Sequence, residues 1–145
     1  MKEILRNQSF AYTFTKDYND TNVCLVRCFA VRDGEDAGYI SFEQQYKKMK
    51  LRKIFVKPTY RKMYIGQTLL SIMEDYAKSQ GIYRIEGKFF PSVKGARTFY
   101  NKCGYFVPNE KQDWETYDDT WTLSKDLDRN LRPKINFNFV QEREL

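Results

Sequence analysis

At 145 residues the chain suffices for one domain with a sizeable core but not for two, and an aromatic share of 17% sets it apart from disordered or linker-like sequence. It carries 25 Lys and Arg against 19 Asp and Glu, a formal net charge of +6, and no histidine. The missing histidine excludes a histidine-based triad, an imidazole general base and an ordinary zinc site, so catalysis must draw on carboxylate, Tyr, Cys, Lys, backbone or water.

In chain order, residues 8–16 alternate Phe10, Tyr12 and Phe14 with Ala11, Thr13 and Thr15, the pattern of a half-buried strand. Asp17 to Asn22 is turn chemistry. Residues 23–31 are largely apolar on both faces and read as an interior strand. A turn over Gly34 to Gly38 leads to a third strand at 39–45, and 50–57 is a fourth, so the first half is an antiparallel meander. Pro58 removes a ladder donor and ends that strand. From Gly66 to Gln80, Leu69, Leu70, Ile72, Met73, Tyr76 and Ala77 recur at helical spacing, with Gly81 as C-cap. Residues 82–90 read as a strand parallel to the fourth, because a crossover helix joins them. A second helix is expected from Pro91 and Ser92, with Ser92 as N-cap, Ala96, Phe99, Tyr100 and Cys103 on its apolar face and Gly104 at its end. Residues 105–107 and 120–124 would form a last hairpin. Beyond residue 127, Ile135, Phe137 and Phe139 alternate with asparagines, so 128–145 is expected to be a tail that adds a strand or covers a partner, after a domain at 1–127.

Cys24, Cys28 and Cys103 have no metal-ligand spacing, and no metal is expected. On one strand Cys24 and Cys28 would stand about 13 Å apart, too far to bridge, so reduced thiols are expected. Cys103 reads as a packing residue rather than a nucleophile. No apolar run approaches the roughly 20 residues that span a bilayer, and the first residues lack the apolar centre of a signal peptide, so the expected location is cytoplasmic.

The charge is unevenly placed. No acidic residue separates Glu43 from Glu74, whereas Lys47, Lys48, Lys50, Arg52, Lys53, Lys57, Arg61 and Lys62 all fall between them. Such a stripe suits an anionic partner: a phosphate-bearing cofactor, an acidic acceptor or a nucleic acid. Solvated basic strand edges that discourage pairing account for it equally well. Within it, Arg61 and Lys62 precede a helix whose first N–H groups and dipole favour an anion, and Gly66 is expected to let a ligand approach the backbone.

Val56-x-Pro58-x-Tyr60-Arg61-x-x-x-Ile65-Gly66-x-x-Leu69-Leu70 resembles the acyl-CoA-binding motif of the GCN5-related N-acetyltransferase (GNAT) superfamily, and Ala96 to Phe106 resembles a second family segment. The likeness covers roughly residues 8–127 and is strongest over 51–106. It implies an α+β fold: a mixed, mostly antiparallel twisted sheet of six to seven strands, with a parallel splayed pair and two main helices. It also implies transfer of an acetyl group from acetyl-CoA to an amine by direct attack. Phe55, Val56, Arg61, Lys62, Met63, Tyr64, Ile65, Gly66 and Gln67 would bind the cofactor, with the Val56 N–H at the oxyanion, and Tyr100 would be the acid. The family's usual base, on the strand before the turn, is replaced here by Arg52 and Lys53, which leaves Glu86 and Glu43 as substitutes, or a water relay. Two further departures are Tyr64 at the motif's first glycine, where a Cβ resists positive φ, and Val93 at a usual asparagine. A third is the absence of room between the first two strands for the helices that shape the acceptor pocket. A homodimer is among the expectations, with nucleic acid and membrane disfavoured. The alternatives are a GNAT-fold module that binds CoA without catalysis and, below it, a basic nucleic-acid-binding protein.

Overall fold

Short turns make the first half of the chain a meander. The computed structural model describes residues 10–19, 22–108, 120–130 and 140–142. β1 (Ala11–Tyr18) meets β2 (Cys24–Arg32) through a turn in which the Asn19 side chain accepts from the Val23 N–H. No helix lies between them among the described residues. β2 returns as β3 (Glu35–Gln45) through Asp33 and Gly34, whose φ values of 53° and 77° suit the right-handed twist of a tight hairpin. Gly38, expected in that turn, lies inside β3 opposite Val56. β4 (Lys48–Val56) follows, then a 3-10 turn at Pro58–Tyr60, α1 (Ile65–Ser79), β5 (Arg84–Phe89), α2 (Ala96–Lys102), β6 (Trp121–Asp126) and β7 (Val140–Glu142).

The seven strands form one sheet in the order β6-β5-β4-β3-β2-β1-β7. Neighbours are antiparallel except β4 with β5 and β7 with β1. The mixed α+β architecture, with its parallel pair and two helices, is thus the expected one. β7 adds three residues to the outer edge of β1; Ile135, Phe137 and Phe139 lie outside the described residues.

One face of the sheet carries the core. Tyr12, Cys28, Ala30, Ile40, Phe42, Met49, Leu51, Ile85 and Leu123 are all at most 2% exposed and meet Ile65, Leu69, Leu70, Met73 and Ala77 of α1. Each fully buried Leu or Met contributes about 1.5–3 kcal/mol. That offsets the start of α1, where Tyr64 is left-handed (φ 63°), a conformation costing a Cβ-bearing residue about 1–2 kcal/mol. Tyr64 takes the φ that its Cβ was expected to resist, because its carbonyl accepts both the N–H and the Oγ1 of buried Thr68, at 3.0 and 2.8 Å.

Two other expectations are corrected. α2 begins at Ala96, after left-handed Gly95 (φ 83°), and not at Ser92, because separate turns close from Val93 to Phe90 and from Ala96 to Val93. The last hairpin shrinks to a single antiparallel bridge between Phe106 and Ser124.

Burial makes the fold sensitive to alkali. The Cys28 thiol is pushed up from 9.0 to about 12 and the Cys103 thiol to about 11, both chiefly by desolvation. Above pH 9 the unfolded chain releases these protons and the folded one holds them, so the stabilisation is complete below pH 9 and lost as pH rises to about 12. The unfolding free energy from denaturant titrations is expected to fall steadily across pH 8–12, and Cys28→Ala to flatten the curve; a flat wild-type curve refutes the burial argument.

Candidate active site

β4 and β5 pair only from Met49/Ile85 to Leu51/Gly87, yet β4 runs on to Val56 and β5 to Phe89. The divergence has a local cause. Phe42 faces Leu51 and Ser41 faces Lys53, so Arg52 is an extra residue on β4, a bulge that bends the strand at the last paired position. The phase of the buried residues shifts with it: Met49 and Leu51 point inward before Arg52, Ile54 and Val56 after it. A V-shaped gap results.

The register also fixes what faces the gap. Lys57 N–H donates to the Ala37 carbonyl at 2.9 Å, so the adjoining pair Val56/Gly38 is the non-hydrogen-bonded kind, in which strands approach most closely. The Val56 N–H and carbonyl therefore point away from β3 and towards the gap, where the carbonyl accepts from Arg61 Nε at 3.2 Å. Gly38 permits this approach, since a Cβ there would stand 2.6 Å from the Phe55 carbonyl oxygen. Gly38→Ala is expected to cost about 1–3 kcal/mol by forcing β4 outward, measurable as a lowered denaturant midpoint; unchanged stability overturns this account.

Beyond Val56, the chain presents exposed Arg61, Lys62, Met63 and Tyr64 around the start of α1, whose first turn carries no acidic residue. Ile65, Gly66 and Gln67 are the positions whose N–H groups an α-helix leaves without an intrahelical partner. Gly66 also serves the packing of the two helices. A Cβ there would meet the Phe99 ring at 3.1 Å, so the missing side chain makes room for α2, while the amide points along the helix axis.

Tyr100 of α2 is 8% exposed, its ring edge-on to Phe89, Phe99 and Tyr105 at centroid distances of 6.1, 5.3 and 6.0 Å. Burial, with the Cys103 thiol adding a smaller push, raises its phenol from 10.0 to about 12. Through Phe89 it shares the helix-covered face of the sheet. Glu43 and Glu86 lie on the other face, in register across the strands on either side of Lys50. Each carboxylate is ion-paired, Glu43 with Arg52 at 3.5 Å and Glu86 with Arg84 at 3.3 Å, and Glu86 is the more exposed. The structure thus brings the two carboxylates to one face and sets Tyr100 on the other. Sequence reasoning missed the bulge at Arg52, although the phase break from Met49/Leu51 to Ile54/Val56 was its signal. It also missed Glu74 of α1, which accepts from Tyr105 Oη and Lys125 Nζ, both at 2.9 Å.

Among the described residues no helix is long and apolar enough to cross a membrane, and no group of three or more His, Cys, Asp or Glu is placed to hold a metal ion. The acetyltransferase (GNAT) family model matches residues 3–105. No curated protein matches the sequence. Among solved structures, the chain is similar to the PaiA N-acetyltransferase of Thermoplasma acidophilum in complex with coenzyme A, at 25% identity, TM-score 0.60, over 86% of this chain and 67% of that one. It is also similar to an acetyltransferase of the GNAT family from Staphylococcus aureus (20% identity, TM-score 0.61, 77% and 72% covered) and to Ard1 from Thermoplasma volcanium (14%, 0.60, 70% and 70%).

Proposed function

The chain belongs to the acetyltransferase (GNAT) family and is an N-acetyltransferase, and on that premise we propose that it carries an acetyl group from acetyl-CoA, bound in the gap between β4 and β5, to an amine that attacks the thioester directly. The observation that carries this reading is the divergence of β4 from β5 at the Arg52 bulge, which leaves the Val56 N–H facing the gap. Coenzyme A in the complex of the Thermoplasma PaiA enzyme supports it.

Fit is good at both ends of such a ligand. The amides of Ile65, Gly66 and Gln67, with Arg61 and Lys62 beside them, would receive the pyrophosphate, with Phe55, Met63 and Tyr64 flanking it. The gap-facing edge of β4 would pair with the pantetheine arm. As the amine nitrogen bonds to the acyl carbon, the carbonyl oxygen gains charge and the Val56 N–H would receive it. The carbon–sulfur bond then breaks, and Tyr100 donates a hydrogen bond to the leaving sulfur from the helix-covered side. Glu43 and Glu86 share the opposite face, so the amine would approach from there and lose its proton to one of them through water. One oxygen of each is engaged by an arginine, Glu43 by Arg52 and Glu86 by Arg84, so neither carboxylate is wholly given over to an amine, and that specific observation supports the second reading, a CoA-binding module without turnover.

The location we propose is the cytoplasm, where Cys24, Cys28 and Cys103 stay reduced as they are here. Residues 1–127 would form the catalytic domain and 128–145 a tail serving as edge or dimer interface.

A thermal-shift titration with acetyl-CoA, followed by thiol release against a panel of amines, tests the reading. A ligand at a hundred times its dissociation constant adds about 2.7 kcal/mol. Stabilisation with amine-dependent thiol release supports the enzyme, and stabilisation without release selects the silent module. Salt-sensitive oligonucleotide retention without any acetyl-CoA effect replaces both with nucleic-acid binding.

A further inference from the structure

α2 carries Tyr100 but has only seven residues, Ala96–Lys102, too few to hold a helix axis by its own hydrogen bonds. Its placement is therefore imposed from outside, by the Arg97 contacts with the Pro108 carbonyl and the Trp121 ring, by Phe89 against Tyr100, and by two further grips. At one, the Phe99 ring lies over Gly66 at the start of α1. At the other, Lys125 Nζ of β6 donates to the carbonyl of Cys103, the C-cap of α2, at 2.8 Å, and to Glu74 Oε1 of α1 at 2.9 Å. Glu74 Oε2 accepts in turn from Tyr105 Oη at 2.9 Å, and the Tyr105 ring is edge-on to Tyr100 at 6.0 Å. The ion pair is largely withdrawn from water, with side chains 15% exposed at Glu74 and 24% at Lys125, so screening weakens it little.

We propose that Glu74 is a positioning residue for the acyl transfer. Through Lys125 it fixes the C-terminal end of α2, and through Tyr105 it fixes a ring that packs against Tyr100. It touches no reactant. The inference rests on the reading of Tyr100 as hydrogen-bond donor to the leaving sulfur. The effect is large because a displacement of about 1 Å in a reacting group costs on the order of a hundredfold in rate.

The test is a double-mutant cycle in kcat for acetyl-CoA with the best amine of the panel, using wild type, Glu74→Gln, Tyr100→Phe and the double variant. Glu74→Gln is expected to lower kcat about tenfold, a tenth of that ångström-scale cost, with KM for acetyl-CoA little changed. On the Tyr100→Phe background it is expected to change kcat by less than about twofold, the margin within which independent effects add. An equal loss on both backgrounds, or no loss in wild type, overturns the positioning role and leaves the Tyr100 reading intact. Full activity of Tyr100→Phe alone overturns both. If Glu74→Gln does not fold, Tyr105→Phe takes its place in the cycle under the same criterion, because it removes the bond to Glu74 and keeps the ring against Tyr100.

Discussion

Tyr100→Phe is expected to lower kcat about a hundredfold, the low end of what a positioned acid contributes, with KM for acetyl-CoA and thermal stability nearly unchanged. The substitution deletes one oxygen and keeps a ring of the same shape against Phe89, Phe99 and Tyr105, so the core has little to lose. A loss confined to kcat marks an interaction made only in the transition state. The phenol, pushed up to about 12 by burial, stays protonated at every physiological pH. A thiol ordinarily titrates near 8.5, so complete transfer from this phenol to a thiolate is uphill. Tyr100 would therefore act by a hydrogen bond that strengthens as charge gathers on sulfur, with the final proton coming from solvent. It follows that the pH–rate profile has no alkaline limb from Tyr100 below about pH 11, since a raised phenol keeps its proton until pH approaches its own value. Unchanged kcat in the phenylalanine variant removes Tyr100 from the chemistry, whereas an alkaline limb below that pH that disappears with the variant overturns the raised phenol and makes Tyr100 a full proton donor.

The path from sequence to this site was legible where one residue decides one thing. Pro58 cannot continue a ladder, and β4 ends at Val56. The spacing of Leu69, Ile72, Met73 and Ala77 describes α1 because burial on one face is what holds that helix. Where two chain segments decide together, single-chain patterning fell short. Gly38 looks like a turn residue by composition, but it is a strand residue because the Phe55 carbonyl leaves no space for a Cβ. Ser92 looks like a cap, but Gly95 takes the left-handed conformation that sets where α2 begins. Gly66 is also the seat of Phe99, a residue distant in sequence, which the pattern around Gly66 alone does not announce. Arg52 falls between these cases: the bulge needs both strands, yet the change of phase in the apolar pattern was present on β4 alone. Tyr100 and the carboxylates could not be assigned to opposite faces from sequence, because that depends on which face α2 covers.

Reversing both cations of the turn, Arg61→Glu with Lys62→Glu, is expected to raise KM for acetyl-CoA a hundredfold or more. Each charge-assisted contact to an anion is worth about 1.5–3 kcal/mol, or on the order of 10- to 100-fold in affinity. Repulsion between carboxylate and phosphate adds to the loss. The two residues are not equivalent. Lys62 is exposed and held at φ 67°, so its reversal acts through charge. Arg61 also donates from Nε to the Val56 carbonyl at 3.2 Å, so its loss frees the end of the strand that aims the Val56 N–H. Arg61→Glu alone is therefore expected to lower kcat as well as raise KM, and Lys62→Glu alone to raise KM with kcat nearly kept. S-acetylpantetheine separates the pyrophosphate effect from a general loss of fold, because it carries the thioester without the pyrophosphate. In wild type it should be a much poorer substrate than acetyl-CoA. In Lys62→Glu the gap between the two should narrow, and rising salt should raise the wild-type KM for acetyl-CoA while leaving that for S-acetylpantetheine alone. Equal losses on both substrates would mean that the turn serves the fold and holds no diphosphate, and the start of α1 would then have no part in binding the thioester.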